Sequence, residues 1–487
     1  MLGHGSVSWE EFQAIKVALQ RAELMKADVG NIQHGVEFSD NFTPLVAQDL
    51  DAVWTSETFA DEDLVLSNML YEKDVDSPLH ELVTVKEYGQ EDTIEGFFAE
   101  GGVTEIEESE LQRKITRVKY LGVQRQITDV ATMTGIIGNG MVSKRGLQVQ
   151  TELGMKSLAG RYETALFHAD SALNPLHFDG LIKQIDDGAA SGFYTDAAGT
   201  APTLKDIIRR VFAIADRPTY GKVDAILMSS DQLGQMINIA QAYQQWRPGD
   251  AKGGENQLVF NAGALSLVGP GGRMIPIKAA PKMKLKSNPF SLSGSVGRVP
   301  AGLVLGDITI GAVAGPPGFD AADAGDYDYV VVGIGDSGAV AFTYAGSITV
   351  GSGQRVQVDI VDQDIPEAST TLAAGVRYYM LYRSAKDAGA PASIDDMTLV
   401  GRFPRAGFGS DSQFYDDGSL KPGHGHILLL TSDQRSIYVA KLLGTIRRPL
   451  AEVATAKPFM LMRFCTPHIR HPLKQAGWFN VPDELNL

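Results

Sequence analysis

The chain has 487 residues, 44% of them hydrophobic and 21% charged, as expected of a soluble globular protein of two or three domains. Its net charge of −16, divided as −7 over residues 311–446 and −9 over the rest, argues against polyanion binding by the surface as a whole. No run of about 18 apolar residues suggests a membrane span, and the single cysteine, Cys465, excludes an internal disulfide framework.

Residues Met1–Trp9 have no basic stretch followed by an apolar one, so no signal peptide is expected. Ser8 is a candidate N-cap for an amphipathic helix over 8–25, with Phe12, Ile15, Val17, Ala18 and Leu19 clustered on a face. Residues 26–77 show little sustained period and read as an extended arm with short helices.

Residues 78–128 read as a long β-hairpin. Leu82–Tyr88 begins an extended run and Arg113–Thr128 returns; Gly101, Gly102 and the acids Glu100, Glu105, Glu107, Glu108 and Glu110 lie at the tip. An arm of about 18 residues spans roughly 60 Å when fully extended, more than the width of about 50 Å of a compact domain of about 300 residues. A lone two-stranded ribbon is marginal in water, so a projecting one needs a partner surface. Acids dominate 91–110, whereas Arg113, Lys114, Arg117, Lys119 and Arg125 dominate the return. Two readings carry equal weight: a solvated ribbon with internal ion pairs, or an electrostatic seam between subunits in which these bases meet acids such as Glu105, Glu107 and Glu108.

A helix is expected over about 143–169, with Met155, Leu158, Tyr162, Ala165 and Leu166 as its buried stripe. A second runs from Leu204 to Asp216, capped by Thr203, with Leu204, Ile207, Ile208, Val211 and Phe212 on one side. Strand 223–228 and a third helix from Ser230–Asp231 through Leu233, Met236, Ile237 and Tyr243 complete an α+β or α/β body. Gly-rich segments at 249–254 and 269–273 read as loops.

Beyond the Gly/Pro-rich stretch Gly311–Gly318 the pattern changes. Short β-rich runs at 327–332, 339–344, 356–361, 376–382, 397–400 and 427–430 alternate with Gly, Asp and Ser clusters. Such spacing indicates an antiparallel sandwich of immunoglobulin or fibronectin type III kind. Because body-like chain remains on both sides, the expectation is an inserted domain over 311–446. Pro458–Phe464 then reads as a buried strand of the body.

Motifs with possible chemistry have plainer readings. Gly333-Ile-Gly-Asp-Ser-Gly338 matches GxGxxG and Asp359 follows at 21 residues, but what comes next is strand-like, where a dinucleotide site needs a helix. A hairpin turn is expected there. Cys465, His468 and His471 have metal-ligand chemistry, but in a strand residues three apart face opposite ways. The acid pairs Glu107/Glu108, Asp395/Asp396 and Asp416/Asp417 read as solvated turns. No GxSxG, HExxH or Walker A pattern is present. No enzyme activity, cofactor or metal is expected.

The order of arm, long hairpin, long helix and mixed body resembles the major capsid proteins of tailed bacteriophages, with the Hong Kong 97-type fold. The phrase Phe178-Asp-Gly-Leu-Ile182 after the long helix and the ending Leu450–Phe459 are similar to that family. Tyr378–Ser384 resembles a fibronectin type III strand, although residues 311–446 contain no tryptophan. The resemblance implies an N-terminal arm at 1–77, an extended hairpin loop at 78–128 that reaches over a neighbouring subunit, and a peripheral domain with a spine helix at 129–200. It implies an axial domain at 201–310, the inserted sandwich at 311–446 displayed outside the shell, and a C-terminal return at 447–487. The implied function is self-assembly, through pentameric and hexameric capsomers, into an icosahedral or prolate shell around double-stranded DNA that is enclosed without specific binding. Portal, scaffolding and decoration proteins are the implied partners, no membrane is involved, and the implied location is the virion, assembled in the host cytoplasm. An encapsulin-like compartment is the first alternative. A surface adhesin or enzyme with a fibronectin-like module is the second.

Overall fold

The computed structural model describes residues 63–87, 97, 100, 102, 108–128, 136–138, 141–143, 146–188, 193–216, 220–242, 266–283, 308–335, 338–361, 376–389, 397–406, 411–420, 425–451 and 456–482. The expected helix at 8–25 and most of the arm lie outside them. The chain divides into two units, Met1–Trp54 with Ile137–Val142, and Thr55–Ile136 with Ser143–Leu487.

Helix α1 (Val65–Met69) and strand β1 (Glu72–Asp74) open the described chain. β2 (Leu79–Glu87) and β3 (Glu110–Arg117) form a two-stranded antiparallel ribbon, and β4 (Lys119–Thr128) follows. β5 (Ile136–Gly138) pairs with β6 (Met141–Ser143), and these carry the described residues of the first unit.

The long helix α2 (Gly146–His168) lies close to its expected bounds. Leu158, Tyr162 and Leu166 are buried as expected, but Met155 is 45% exposed. Helix α3 (Leu181–Gly188) and the short strand β7 (Tyr194–Asp196) come next. α4 (Leu204–Ala215) begins in a capping box: the Thr203 side chain accepts from the Asp206 N–H, and Asp206 accepts from the Thr203 N–H. Its buried face is Ile207, Val211 and Ile214, one step round from the expected stripe, so Ile208 and Phe212 are exposed. β8 (Ala225–Met228) is wholly buried, and α5 (Ser230–Ala242) follows it. Ser229 and Gln232 cap α5 reciprocally: the Gln232 N–H donates to Ser229 Oγ and the Ser229 N–H to Gln232 Oε1, each at 3.2 Å. β9 (Ser266–Val268) and β10 (Met274–Ala279) pair antiparallel, and β10 runs parallel to β8.

Seven strands then build two facing sheets: β11 (Ile308–Ala314), β12 (Gly325–Gly335), β13 (Gly338–Val350), β14 (Gln354–Ile360), β15 (Val376–Arg383), β16 (Thr398–Pro404) and β17 (Ser412–Asp416). One sheet has the order β11-β14-β17, the other β13-β12-β15-β16. Tyr329, Val331, Val356, Val358, Tyr379, Leu381 and Phe403 make their common core. The chain returns through β18 (Gly425–Leu430), β19 (Ile437–Pro449), β20 (Ala456–Ile469) and β21 (Ala476–Val481).

These last strands correct the sequence reading. β18 lies between β8 and β21 in the six-stranded sheet β7-β21-β18-β8-β10-β9, and β19 pairs with β20 in the four-stranded sheet β1-β19-β20-β4. Residues 425–446 thus pair with the body, because Ile427–Leu430 is apolar on both faces and is buried like a central strand. At the other end, Gly311–Ala314, read as a break, is the second half of β11, paired with Gln357–Gln354 of β14. The two-sheet unit therefore runs from 308 to 416.

Asp416, expected in a solvated turn, is 1% exposed. It accepts from Arg383 Nη1 at 2.7 Å and from Tyr329 Oη at 2.8 Å inside the two-sheet unit. Arg383 is itself 3% exposed, so the pair satisfies two buried charges at once. The Gly333–Gly338 segment joins β12 to β13 as a hairpin, with Gly335 opposite Gly338, and Asp359 is bound by Gln357 and Gln413.

Candidate functional site

The β2–β3 ribbon stands apart because it has two strands and two very different faces. Leu79 pairs with Arg117, Glu81 with Ile115, Val83 with Arg113 and Val85 with Leu111. By the alternation of strands these residues share one face. On it Leu79 is 54% exposed, Val83 63%, Leu111 62% and Ile115 57%. Four large apolar side chains thus face solvent in one stripe, beside the Arg113–Glu81 ion pair and the exposed Arg117.

The opposite face turns inward. His80 pairs with Thr116 and Leu82 with Lys114. Leu82 is buried against Tyr438 and Ala440 of β19. His80 Nε2 lies 2.7 Å from Tyr438 Oη, and Thr116 Oγ1 lies 3.1 Å from His468 Nδ1 on β20. The ribbon base therefore rests on the four-stranded sheet by one leucine and a polar cluster.

The expected hairpin does not return as far as Thr128. Val118 is fully buried, and its N–H donates to Pro78 O at 2.8 Å. The chain then enters the body as β4, paired with β20 from Lys119↔Cys465 to Thr128↔Ala456. Val123 and Ile127 bury the inner side of β4, and Val123 packs with Leu158, Phe459 and Leu461. Lys119 and Arg125 accordingly lie outside the ribbon: Lys119 Nζ donates to Pro175 O, and Arg125 sits half-buried opposite Phe459.

Of the remaining sequence candidates, Arg113 is engaged by Glu81 within the same ribbon. Lys114 is on the inner face, its ammonium lowered by burial against the opposing pull of Asp179 and Asp187. Arg117 is on the outer face, Glu108 is exposed, and Glu105 and Glu107 lie outside the described residues. Of the acid-rich segment 91–110, only residues 97, 100, 102 and 108–110 are among the described residues. What the sequence reading missed is the apolar stripe. The signal was present in the parity of Leu79, Val83 and Val85 on one strand and Leu111 and Ile115 on the other.

Cys465, His468 and His471 do not converge. Cys465 is in the body core, where burial pushes its thiol up to about 11, and His468 faces the ribbon. Among the described residues no group of three or more His, Cys, Asp or Glu could hold a metal ion, and no helix is long and apolar enough to cross a membrane.

No family model matches the chain, and no curated protein matches it. Solved structures do. The holo-SrpI encapsulin complex from Synechococcus elongatus PCC 7942 aligns at 9% identity and a TM-score of 0.45, over 92% of this chain and 98% of that one. The capsid of a native GTA particle aligns at 9% identity and a TM-score of 0.41, with the same coverage. A structure of Mycobacterium phage Adephagia aligns at 8% and 0.39, again over 92% and 98%. At these identities and scores no residue role passes from those proteins to this chain.

Proposed function

We propose that this chain is a shell-forming capsid subunit, the major capsid (head) protein of a tailed bacteriophage. The observation that carries the reading is the outer face of the ribbon. A two-stranded ribbon that leaves Leu79, Val83, Leu111 and Ile115 more than half exposed does not bury its own apolar surface. A second copy of the chain is the occupant that self-assembly supplies, and repeated heterologous contacts of this kind close into rings and shells. The resemblance in element order assigns the remaining parts. α2 serves as the spine helix, the sheet β1-β19-β20-β4 as the peripheral layer, and the six-stranded sheet with α4 and α5 as the axial domain. The two-sheet unit is an immunoglobulin-like or fibronectin type III-like insertion on the outside of the shell.

In this reading the inter-subunit contact is mainly apolar. Arg117 and the acidic tip, including Glu108, set register around it. The acidic chain encloses DNA without gripping it, since phosphate affinity comes from Lys and Arg. Portal, scaffolding and decoration proteins are further partners. Negative-stain microscopy of the purified protein tests the proposal. Closed shells or capsomer rings are the expected result, and a uniform field of single subunits contradicts it.

A further inference from the structure

The layer between the ribbon and the sheet has an unusual charge composition. From the ribbon it receives His80, Leu82, Lys114 and Thr116. From the sheet it receives Lys73 on β1, Tyr438 on β19, His468 on β20 and Arg470 just past the end of β20. The His80 and His468 ring centroids are 6.5 Å apart, and each packs edge-on against Tyr438 at 5.8 and 5.6 Å. Lys73 Nζ lies 5.8 Å and Arg470 Cζ 5.0 Å from the centre of the Tyr438 ring. The carboxylates of Asp179 and Asp187 act on Lys114, while Glu81 points to the outer face and binds Arg113. Among the described residues, the charged side chains that bear on the two histidines are Lys73, Lys114 and Arg470, all cations.

His468 is 1% exposed, and its Nε2 has no hydrogen-bond partner among the described residues. With Nδ1 donating to Thr116 Oγ1, the neutral ring leaves a bare lone pair on Nε2, which is cheaper to bury than an unmatched N–H. Protonation puts an N–H and a positive charge at that atom, beside Lys114, His80 and Arg470. Burial first, then those three groups, pushes the imidazolium of His468 down to about 3. Burial, then Lys73 and Arg470, lowers His80 as well. Against this the ribbon base has one buried leucine.

We propose that this layer is an acid-released latch: the ribbon base stays on the sheet while His80 and His468 are neutral and lifts away when they take up protons. The sign follows from linkage. Both groups hold protons less tightly in the closed form than when the ribbon is free, so closure is fully favoured above about pH 6.5 and weakens as pH falls toward the closed-state values. The core cluster of the body, around Ile437, Val439 and Ile469, lies on the other side of β19 and β20, and its own buried histidine, His168, held well below its usual value by burial, lies against Met283 O and the His426 ring instead of the ribbon. The latch is a property of one chain and stands whether or not the outer face of the ribbon meets a second copy.

Amide hydrogen exchange on the purified full chain tests it, with rates corrected for intrinsic pH dependence. Between about pH 7 and about pH 5, the protection of 79–87 and 110–117 is expected to fall about tenfold or more, and by more than that of 225–228 and 427–430. In the double variant His80→Gln, His468→Asn the ribbon protection is expected to stay level over the same range. A flat profile in the natural chain overturns the proposal, as does an equal loss in the double variant. Should the double variant not fold, the histidine resonances of the natural chain decide instead. A ring that titrates below about pH 6.5 together with ribbon opening supports the latch, and opening without titration overturns it.

Discussion

Two buried carboxylates do different structural work, and each makes a measurable claim. Asp416 neutralises Arg383 at 2.7 Å with both side chains almost wholly inaccessible. Removing one partner leaves the other charge buried alone, so Asp416→Ala is expected to lose about 3–5 kcal/mol of stability by chemical denaturation. A loss within about 0.5 kcal/mol, as for a surface change, contradicts the pairing. Glu163 on α2 is fully buried and accepts from the N–H groups of Leu66 at 2.6 Å and Ser67 at 2.8 Å, which ties the start of α1 to the long helix. Glu163→Ala strands a buried donor and is expected to cost about 1–3 kcal/mol. Burial pushes the Glu163 carboxyl above its usual range, opposed by those two N–H groups. Its folded value then lies above its unfolded one, so its contribution is full below about pH 4.3 and declines as pH rises through the folded value. Glu163→Gln is expected to remove that decline, read as the difference in unfolding free energy between about pH 4 and about pH 8. The sequence could not reveal either carboxylate: Asp416 sits among Gly and Ser like any turn acid, and its partner lies 33 residues away.

The ribbon shows how far element reading reaches. Its existence was legible from two extended runs, Leu82–Tyr88 and Arg113 onward, separated by Gly101 and Gly102, although their alternation is imperfect. Its end was not. Nothing local distinguishes Arg117 from Lys119; Val118 is a corner because it packs into the body, which is a tertiary fact. The helices were better served: α4 carries its own period and cap, α5 its own cap, and α2 was found from Leu158, Tyr162 and Leu166, which are buried. The facing of α4 still missed by one step, leaving Ile208 and Phe212 outside. For the ribbon, the expected result of Val83→Asp with Ile115→Asp is a subunit with unchanged circular dichroism and melting but no assembly. Those side chains are exposed in the single chain, so their loss costs the fold little. Assembly at the natural yield would remove the outer face from the contact. A collapse of the melting transition would place it inside the subunit.

Across the molecule, the boundary of the two-sheet unit separates two excisions. Replacing 308–420 by a Gly/Ser linker keeps β18 between β8 and β21 and β19 against β20, and the body is expected to stay soluble and unfold cooperatively. Replacing 311–446 removes β18 and most of β19 and is expected to give insoluble protein. The four-stranded sheet of the unit is also buried on its second face, through Val330, Val332, Met380 and Tyr382, and Arg402 donates to His168 O at 2.6 Å at the end of α2. The first excision should therefore lower the melting temperature while sparing the fold. That attachment was invisible in the sequence, where a sandwich strand with two apolar faces reads the same as one with its outer face in water. Sedimentation of the purified full-length chain at rising concentration bears most directly on self-assembly through the ribbon. The expected result is a fast-sedimenting population of closed particles that disappears in the Val83→Asp, Ile115→Asp variant. A well-folded monomer at every concentration, with no larger species, would contradict it.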